Sequence, residues 1–514
     1  MNKFVGGGRS PLRGCGHLVL FSVSMLTCGL GLTRPAFAQD REEPALRPTL
    51  SPSDPTPRLA EPQVPIAPAQ RPTPAPSDPT PSLPEPQVPI APALTGTTVV
   101  ASDPAADEAA KFKRFDALNE PGLTTNFPGS ADSVVKDVGG IRSWLAKYNV
   151  GIQGRLATIA VYNPLDTGQP KEPQRYNGQR LTLQTHTLVF ETVLGLNDWG
   201  LPNSKIIVGM NYLITTFAAN GPNTIVLRNL AFYQSFLDRK VELKFGIMPN
   251  YQEYVGFFTG GSPVLATGVA GLLPVQAGLS ADPVHSPAAN LTLHFAEGAY
   301  LKTGVQRSIS PQGNSYEVMN NPYGLSVSMP GAGPLTIAEV GVLRPATKGG
   351  KQVWLRGGGF YNASDYKRFD GKGTENNESA YAAADLQLTQ PTASSRPAHG
   401  IYTGASAFWN NPIVSTFTQQ YEARVYDIGV FKTRPRDTFV VRANYLKYSP
   451  DAYKANSAKG VYVNDVQLQA TVSYSLHTFD GIYVTPAAAY IHSPSFVGEF
   501  KDALAFSMTV YLII

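Results

Sequence analysis

Cysteine is nearly missing from this 514-residue chain, which has only Cys15 and Cys28. Both lie in an N-terminal leader described below, so the chain after it can form no disulfide and has no thiol nucleophile. Charged residues make up only 16%, whereas soluble domains average about a quarter. Beyond the leader, no stretch approaches the roughly 18 to 20 apolar residues of a membrane helix. A helical transporter is therefore excluded.

The N-terminus has the three parts of a secretory signal peptide. Basic residues come first, an apolar stretch follows from Leu18 to Leu32, and Ala36-Phe37-Ala38 supplies the small residues of a cleavage site. We predict removal of residues 1–38. Subtracting the leader's four basic residues from the 42 in the chain leaves 38, which equals the number of acidic residues. A neutral chain gives no electrostatic support for a nucleic-acid partner.

Residues 39–110 form a proline-rich segment with an internal repeat. The run from Pro52 to Pro57 recurs 24 residues later, from Pro76 to Pro81, and no aromatic residue occurs between Phe37 and Phe112. Such a segment cannot bury a core, so we predict a disordered, polyproline-II-like tail. Two interpretations stay open: a passive linker, or a tether to the cell wall or a periplasmic partner.

Residues 111–149 contain the one stretch with a helical pattern. Asp132 or Ser133 is a suitable N-cap, and the stretch from Ser130 to Tyr148 repeats apolar residues at helical spacing. The apolar positions are Val134, Val135, Val138, Ile141 and Leu145. We predict a helical segment that precedes the main domain.

From about residue 150 to 514 the recurring pattern is alternation of apolar and polar residues. Between residues 464 and 476 every even position from Val466 to Leu476 is apolar, and every odd position is polar, as in a strand with one apolar face. About sixteen such segments are present. Their approximate cores are 150–162, 181–194, 205–217, 225–236, 240–248, 289–295, 299–308, 336–343, 352–361, 381–390, 400–409, 420–431, 437–448, 463–476, 482–492 and 503–514.

The connections between these segments alternate between long and short. Short turns at one end, long loops at the other and an even strand number are typical of bacterial outer-membrane barrels. A secreted soluble β-protein also alternates, but its charged faces would meet water. Here apolar faces with few charges recur on strand after strand, enough to cover the whole outer surface of a wide barrel. A barrel of about sixteen strands has an interior too wide for side chains to fill. We therefore predict an all-β transmembrane antiparallel barrel whose polar faces line an aqueous channel.

The longest connection covers residues 249–288 and is rich in Gly, Ala, Val, Leu and Pro. A loop of that length is usually functional, and its apolar content indicates that it packs against something. We predict that it folds into the barrel and narrows the pore, with an ordinary surface loop as the alternative.

Several runs resemble the OprB family of carbohydrate-selective porins. The most specific is Gly359-Phe360-Tyr361-Asn362-Ala363-Ser364-Asp365-Tyr366. The others are Leu227 to Leu237 followed by Lys244-Phe245-Gly246, Ala338 to Gly341, Arg434 to Asp437, and Gly140-Ile141-Arg142 with Leu145 and Gly151-Ile152. The resemblance covers about residues 122–514 and implies a sixteen-stranded porin that passes sugars down their gradient. The chain departs from outer-membrane barrels in ending Leu512-Ile513-Ile514 rather than on an aromatic residue.

Sugar recognition needs charged hydrogen-bonding groups and aromatic platforms. The polar faces of the predicted strands and the start of the long loop supply both. The candidate substrate-binding residues are Glu242, Lys244, Tyr251, Tyr254, Trp354, Arg356, Glu422, Arg424 and Arg442. The alternative is a solvated wall whose charges merely pair with one another.

These patterns predict a passive outer-membrane channel for mono- or small oligosaccharides, with lipid and lipopolysaccharide as neighbours. Two alternatives remain, a non-selective general porin and a structural barrel that tethers the envelope, and the oligomeric state stays open. The chain has no Gly-x-Ser-x-Gly, phosphate-loop or paired-histidine motif, so we expect no enzyme activity, no metal and no cofactor.

Overall fold

The computed structural model describes residues 104–123, 128–166, 175–216, 224–256, 272–390 and 396–514. The predicted signal peptide, and the predicted tail up to residue 103, lie outside these ranges. The described residues belong to one compact unit, Thr97–Ile514.

Sixteen antiparallel strands form a closed barrel in which each strand pairs with its neighbours in sequence. The barrel closes where β1 pairs with β16, from Arg155 opposite Ile513 to Tyr162 opposite Phe506. The strands are β1 Val150–Tyr162, β2 Leu181–Gly195, β3 Ser204–Thr215, β4 Thr224–Phe236, β5 Val241–Met248, β6 Ser286–His294, β7 Ala299–Arg307, β8 Pro334–Arg344, β9 Val353–Lys367, β10 Thr374–Gln387, β11 Gly400–Asn410, β12 Phe417–Ile428, β13 Thr438–Tyr448, β14 Val466–Phe479, β15 Ile482–His492 and β16 Ala503–Ile513. The predicted fold class is confirmed.

Most polar side chains of the strands point into the barrel, and most outward side chains are apolar. In β12, for example, Gln420, Glu422 and Arg424 are buried, whereas Tyr421 and Val425 are exposed. This is the reverse of a soluble barrel, because the outer surface is the apolar one.

The hairpin of β9 and β10 is longer than the alternation predicted. β9 continues to Lys367 and β10 begins at Thr374, whereas the predicted cores ended at 361 and began at 381. The reason is that outward positions there are polar, including Asp365 and Lys367, so the apolar alternation stops before the hydrogen-bonded ladder does. The connection between these strands is correspondingly short.

Two features of the segment before the barrel differ from prediction. The expected helix from Ser130 to Tyr148 is interrupted, because Lys136, Gly139 and Gly140 all have positive φ. Only two 3-10 turns, Ser130–Asp132 and Val138–Gly140, and the helix Ile141–Lys147 form there. An additional helix, Pro104–Asp116, begins inside the range assigned to the proline-rich tail.

In chain order the α-helices of the described residues are α1 Pro104–Asp116, α2 Ile141–Lys147, α3 Leu272–Gln276, α4 Asn314–Asn320 and α5 Pro450–Ser457. None of these helices is long and apolar enough to cross a membrane. The chain enters β1 and leaves β16 at the end of the barrel that carries the tightest turns, 237–240 and 480–481, which we call the short-turn end.

Candidate pore constriction

We call the connection between β5 and β6, residues 249–285, the constriction loop. Its described parts, 249–256 and 272–285, bury apolar side chains against the inner wall. The cluster joins Tyr251, Tyr254, Val255, Leu273, Ala277, Leu279 and Ala281 of the loop to Leu335, Ile337, Phe360, Tyr381, Phe408, Leu446 and Tyr448 of β8 to β13. The inward-folded loop predicted from the apolar composition is therefore confirmed.

Hydrogen bonds fasten the constriction loop to the wall. The Val255 backbone N–H donates to the Glu339 carboxylate at 2.9 Å, and Arg356 Nε donates to the Val255 carbonyl at 2.5 Å. Farther along the loop, the Asn362 amide donates to the Ala277 carbonyl at 2.7 Å. Both described parts of the loop are therefore held against the wall by hydrogen bonds.

Gly256 allows the loop to approach the wall closely. Its φ is +71°, a left-handed conformation that side-chain-bearing residues rarely adopt, and a Cβ there would collide with the Trp354 ring. The loop consequently passes directly over Trp354 and Arg356.

Five charged side chains beneath the loop form what we call the arginine–carboxylate cluster: Arg356, Asp385, Glu422, Arg424 and Arg442. Asp385 on β10 binds Arg356 at 3.2 Å and Arg424 at 2.8 Å. Glu422 binds Arg424 at 3.1 Å and Arg442 at 3.5 Å. Alternation within β9, β10, β12 and β13 turns all five side chains inward, and each of them is buried.

Aromatic rings flank this cluster. The Arg356 guanidinium lies 3.6 Å from the centre of the Trp354 ring, a cation–π contact. Tyr426 stacks on Tyr402 with ring centres 4.8 Å apart. From the loop side, Tyr251 is buried, and burial together with the nearby Glu422 carboxylate raises the pKa of its hydroxyl. Its neutral hydroxyl is therefore a hydrogen-bonding group at any physiological pH.

A second charged cluster joins the segment before the barrel to the wall and the loop. Glu120 binds Arg228 at 2.9 Å and Lys244 at 2.8 Å, and Lys244 also binds Glu253 of the loop at 2.5 Å. Burial opposes ionisation of Glu120, but Lys244 and Arg228 outweigh it and hold its pKa well below the usual range. A carboxylate from outside the barrel wall thus pairs with two cations of the interior, whose other partners include Glu191 and Glu253.

Within the described ranges, one group of potential metal ligands lies close together: Asp132, His477 and Asp480. Arg436 already binds Asp132 at 2.9 Å and Asp480 at 3.1 Å, and Lys136 binds Asp480 at 2.6 Å. Because two cationic side chains occupy the group, it is an ion-pair cluster that docks the pre-barrel segment onto the turn between β14 and β15.

The family model described as the carbohydrate-selective porin, OprB family, matches residues 209–511. The chain belongs to the OprB family. Membership and the closed barrel support a carbohydrate porin channel and imply an outer-membrane location. No curated protein matches the chain.

Solved structures resemble this OprB-family chain in fold. The high-pH structure of Pseudomonas putida OprB has a TM-score of 0.63 at 14% identity and covers 75% of this chain and 99% of that one. The low-pH structure of the same protein covers 74% and 98% at 13% identity, with a TM-score of 0.48. A porin mutant of Rh. blastica covers 71% and 100% at 9% identity, with a TM-score of 0.39.

All nine residues nominated from the sequence are buried inside this porin, but they do not form one site. Five of them lie together on the wall beneath the loop: Trp354, Arg356, Glu422, Arg424 and Arg442. Tyr251 and Tyr254 are on the loop itself. Lys244 belongs to the second cluster. Glu242 is separate and contacts Arg239 and His294 near the short-turn end. The charge pairing that the sequence left as an alternative is present, and sugar binding by these residues stays a prediction.

Several further polar residues were missed in the sequence, among them Glu120, Arg228, Glu339 and Asp385. Asp385 could have been found, because it follows Tyr381 and Ala383 on the inward face of a predicted strand. Glu339 and Arg228 lie in the runs that carry the family resemblance. Glu120 precedes the barrel by thirty residues, before Val150, so no strand pattern indicated it.

Proposed function

We propose that this porin is an outer-membrane channel through which mono- or small oligosaccharides diffuse passively into the periplasm. The observation that carries the proposal is the arginine–carboxylate cluster with Trp354, placed on the wall beneath the constriction loop. Guanidinium and carboxylate groups form the strong hydrogen bonds that sugar hydroxyls require, and the aromatic ring offers a platform for a sugar's apolar face.

The balance of charges favours neutral solutes. The cluster combines three arginines with two carboxylates that pair with them. The small net positive charge of the cluster attracts neither anions nor cations strongly. Each charged group can, however, replace one of its hydrogen bonds within the cluster by a hydrogen bond to a sugar hydroxyl. A non-selective general porin is the competing function.

The outer face provides the membrane contact that the proposal requires. Outward side chains such as Val340, Val425 and Phe506 are large, apolar and exposed, so we propose that they meet lipid. Lipopolysaccharide contact by the outer loops, tethering by the proline-rich tail and assembly into homo-oligomers remain hypotheses from the sequence.

Single-channel conductance in planar bilayers, with and without sugar, tests the proposal. We expect graded block of the current by a small sugar, and weaker block in Arg424→Ala. Arg368→Ala, in an outer loop where Arg368 pairs with Asp370 and Glu375, is the matched control. Conductance without block would support the general porin, and the absence of conductance would favour the structural alternative.

A further inference from the structure

Helix α2 has one face packed on the protein and one face bare. Arg142 and Ala146 are buried: the Arg142 guanidinium donates to the Ile152 carbonyl at 2.5 Å, and Ala146 packs with Phe112 and Phe115 of α1. The other face presents Ile141, Trp144 and Tyr148, which are 59%, 57% and 61% exposed. Two of these large apolar side chains lie on the helix and the third, Tyr148, is on its C-cap residue; leaving all three in water is costly.

The chain passes from the bare face to the outer surface of the barrel within a few residues. The helix is joined to the start of β1, whose Ile152 points outward. Turns at the same short-turn end also expose large apolar residues, among them Trp199, Leu237, Phe295, Phe431 and Phe479. Such residues form the interfacial girdle of a membrane barrel. The chain just after α2 reaches one of these turns, because the Asn149 amide donates to Asp198, next to Trp199, at 2.5 Å.

The composition of the face indicates an interface rather than the hydrocarbon core or water. Trp and Tyr concentrate where headgroups meet acyl chains, and Trp144 and Tyr148 pack edge to face with ring centres 5.5 Å apart. Lys147, which lies between these two residues in the sequence, is exposed. Its long side chain would allow the ammonium to reach lipid phosphates. A short helix with this pattern is suited to lie in the plane of a leaflet.

We propose that α2 is a lipid anchor: its Ile141, Trp144 and Tyr148 face inserts into the headgroup–acyl boundary of the leaflet at the short-turn end of the barrel. This inference rests on the proposed lipid contact of the barrel wall. It adds a second mode of attachment, by which the segment that follows the proline-rich tail is held at the membrane surface before the chain enters β1.

Site-directed spin labelling in proteoliposomes tests the anchor. The chain from residue 39 onward has no cysteine, so a single cysteine can be placed without other changes. Ile141→Cys puts the label on the bare face and keeps Trp144 and Tyr148. Met508→Cys, on the exposed outer face of β16, is the lipid reference, and Lys459→Cys, in the long outer loop before β14, is the aqueous reference.

The measured quantity is the accessibility of each label to lipid-soluble oxygen relative to a water-soluble nickel chelate. We expect the ratio at Ile141→Cys to approach that of Met508→Cys and to exceed that of Lys459→Cys several-fold. A ratio equal to the aqueous reference, with Met508→Cys in lipid, would overturn the anchor alone. If Met508→Cys itself reported water, the lipid-facing wall would fail and the proposed channel with it.

A second measurement leaves the face unaltered. With Trp199, Trp354 and Trp409 replaced by Phe, the emission of Trp144 should be quenched by lipids brominated near the headgroup. Quenching by aqueous iodide instead of the brominated lipid would contradict the anchor independently of the labels.

Discussion

Arg356 and Trp354 lie two residues apart on β9, and the guanidinium of the first stacks 3.6 Å from the ring centre of the second. Period-two alternation turns both side chains inward, and the constriction loop covers them. The proposed function places a solute against this ring and guanidinium, which the fold buries side by side beneath the loop.

Replacement of Trp354 by Leu should weaken sugar block while leaving the open conductance nearly unchanged. Leucine keeps an apolar side chain but removes the aromatic platform, a loss of about 1 kcal/mol of contact, or about fivefold in the half-blocking concentration. Sugar titration of the single-channel current measures it. Trp409→Leu, on the outer face of β11, should leave block unchanged, and equal effects of the two substitutions would contradict the assignment.

Asp385→Asn should destabilise the barrel and shift its ion preference. The carboxylate is fully buried between Arg356 and Arg424, and removing one partner of a buried ion pair costs about 3–5 kcal/mol. Urea unfolding should show the loss, and the reversal potential in a salt gradient should move toward anions. Asp370→Asn, at an exposed ion pair with Arg368, should change neither; a similar loss there would indicate a non-specific effect.

Glu120→Gln should loosen the pre-barrel segment from the interior. Arg228 and Lys244 lose a shared carboxylate, so residues 117–123 should become more accessible to protease in detergent solution, and the current should become noisier. Glu108→Gln, on the exposed side of α1, is the control with the same chemical change. Unaltered cleavage in Glu120→Gln would show that the ion pairs do not hold the segment.

Acid should release α1 from the short-turn end through Asp137. Burial by itself would raise the pKa of this carboxyl. Hydrogen bonds from Lys111 and Ser143 have the larger, opposite effect and lower the pKa to about 2. The folded pKa lies below the ordinary value of about 3.9. Asp137 therefore contributes its full stabilisation to the packing of α1 above a pH of about 3.9, and this contribution disappears as the pH falls toward about 2. A spin label at Lys113→Cys should gain mobility over that interval.

Asp137→Asn supplies the comparison for the acid effect. The amide cannot titrate, so label mobility should be independent of pH between the same limits. An identical acid transition in Asp137→Asn would assign the release to another carboxyl.

The barrel was predictable because one physical rule repeats along it. A strand of a membrane barrel turns one face to lipid and one to the interior, so apolar residues alternate with polar ones, as in β14 from Val466 to Leu476. The rule lost accuracy where the outward residues become polar. The part of the β9–β10 hairpin beyond Tyr361 carries polar residues on both faces, and for that reason these two strands were predicted too short.

The site was predictable only in part. Arg356, Glu422, Arg424 and Arg442 follow from strand parity, because parity decides which side chains point inward. The partners of each charge do not follow from it. Asp385 meets Arg424 39 residues away, and Glu120 meets Lys244 across 124 residues, and such distances in sequence leave no local pattern.

The amino-acid sequence by itself determined the number of strands, the face that each presents outward and the apolar character of the loop that enters the barrel, because side-chain parity is a property of every strand alone. Only the tertiary structure decided which strands the loop covers, which charges share Asp385 and Glu120, and where α2 leaves its apolar face bare. Those contacts depend on barrel closure, which brings together side chains that the chain itself keeps far apart.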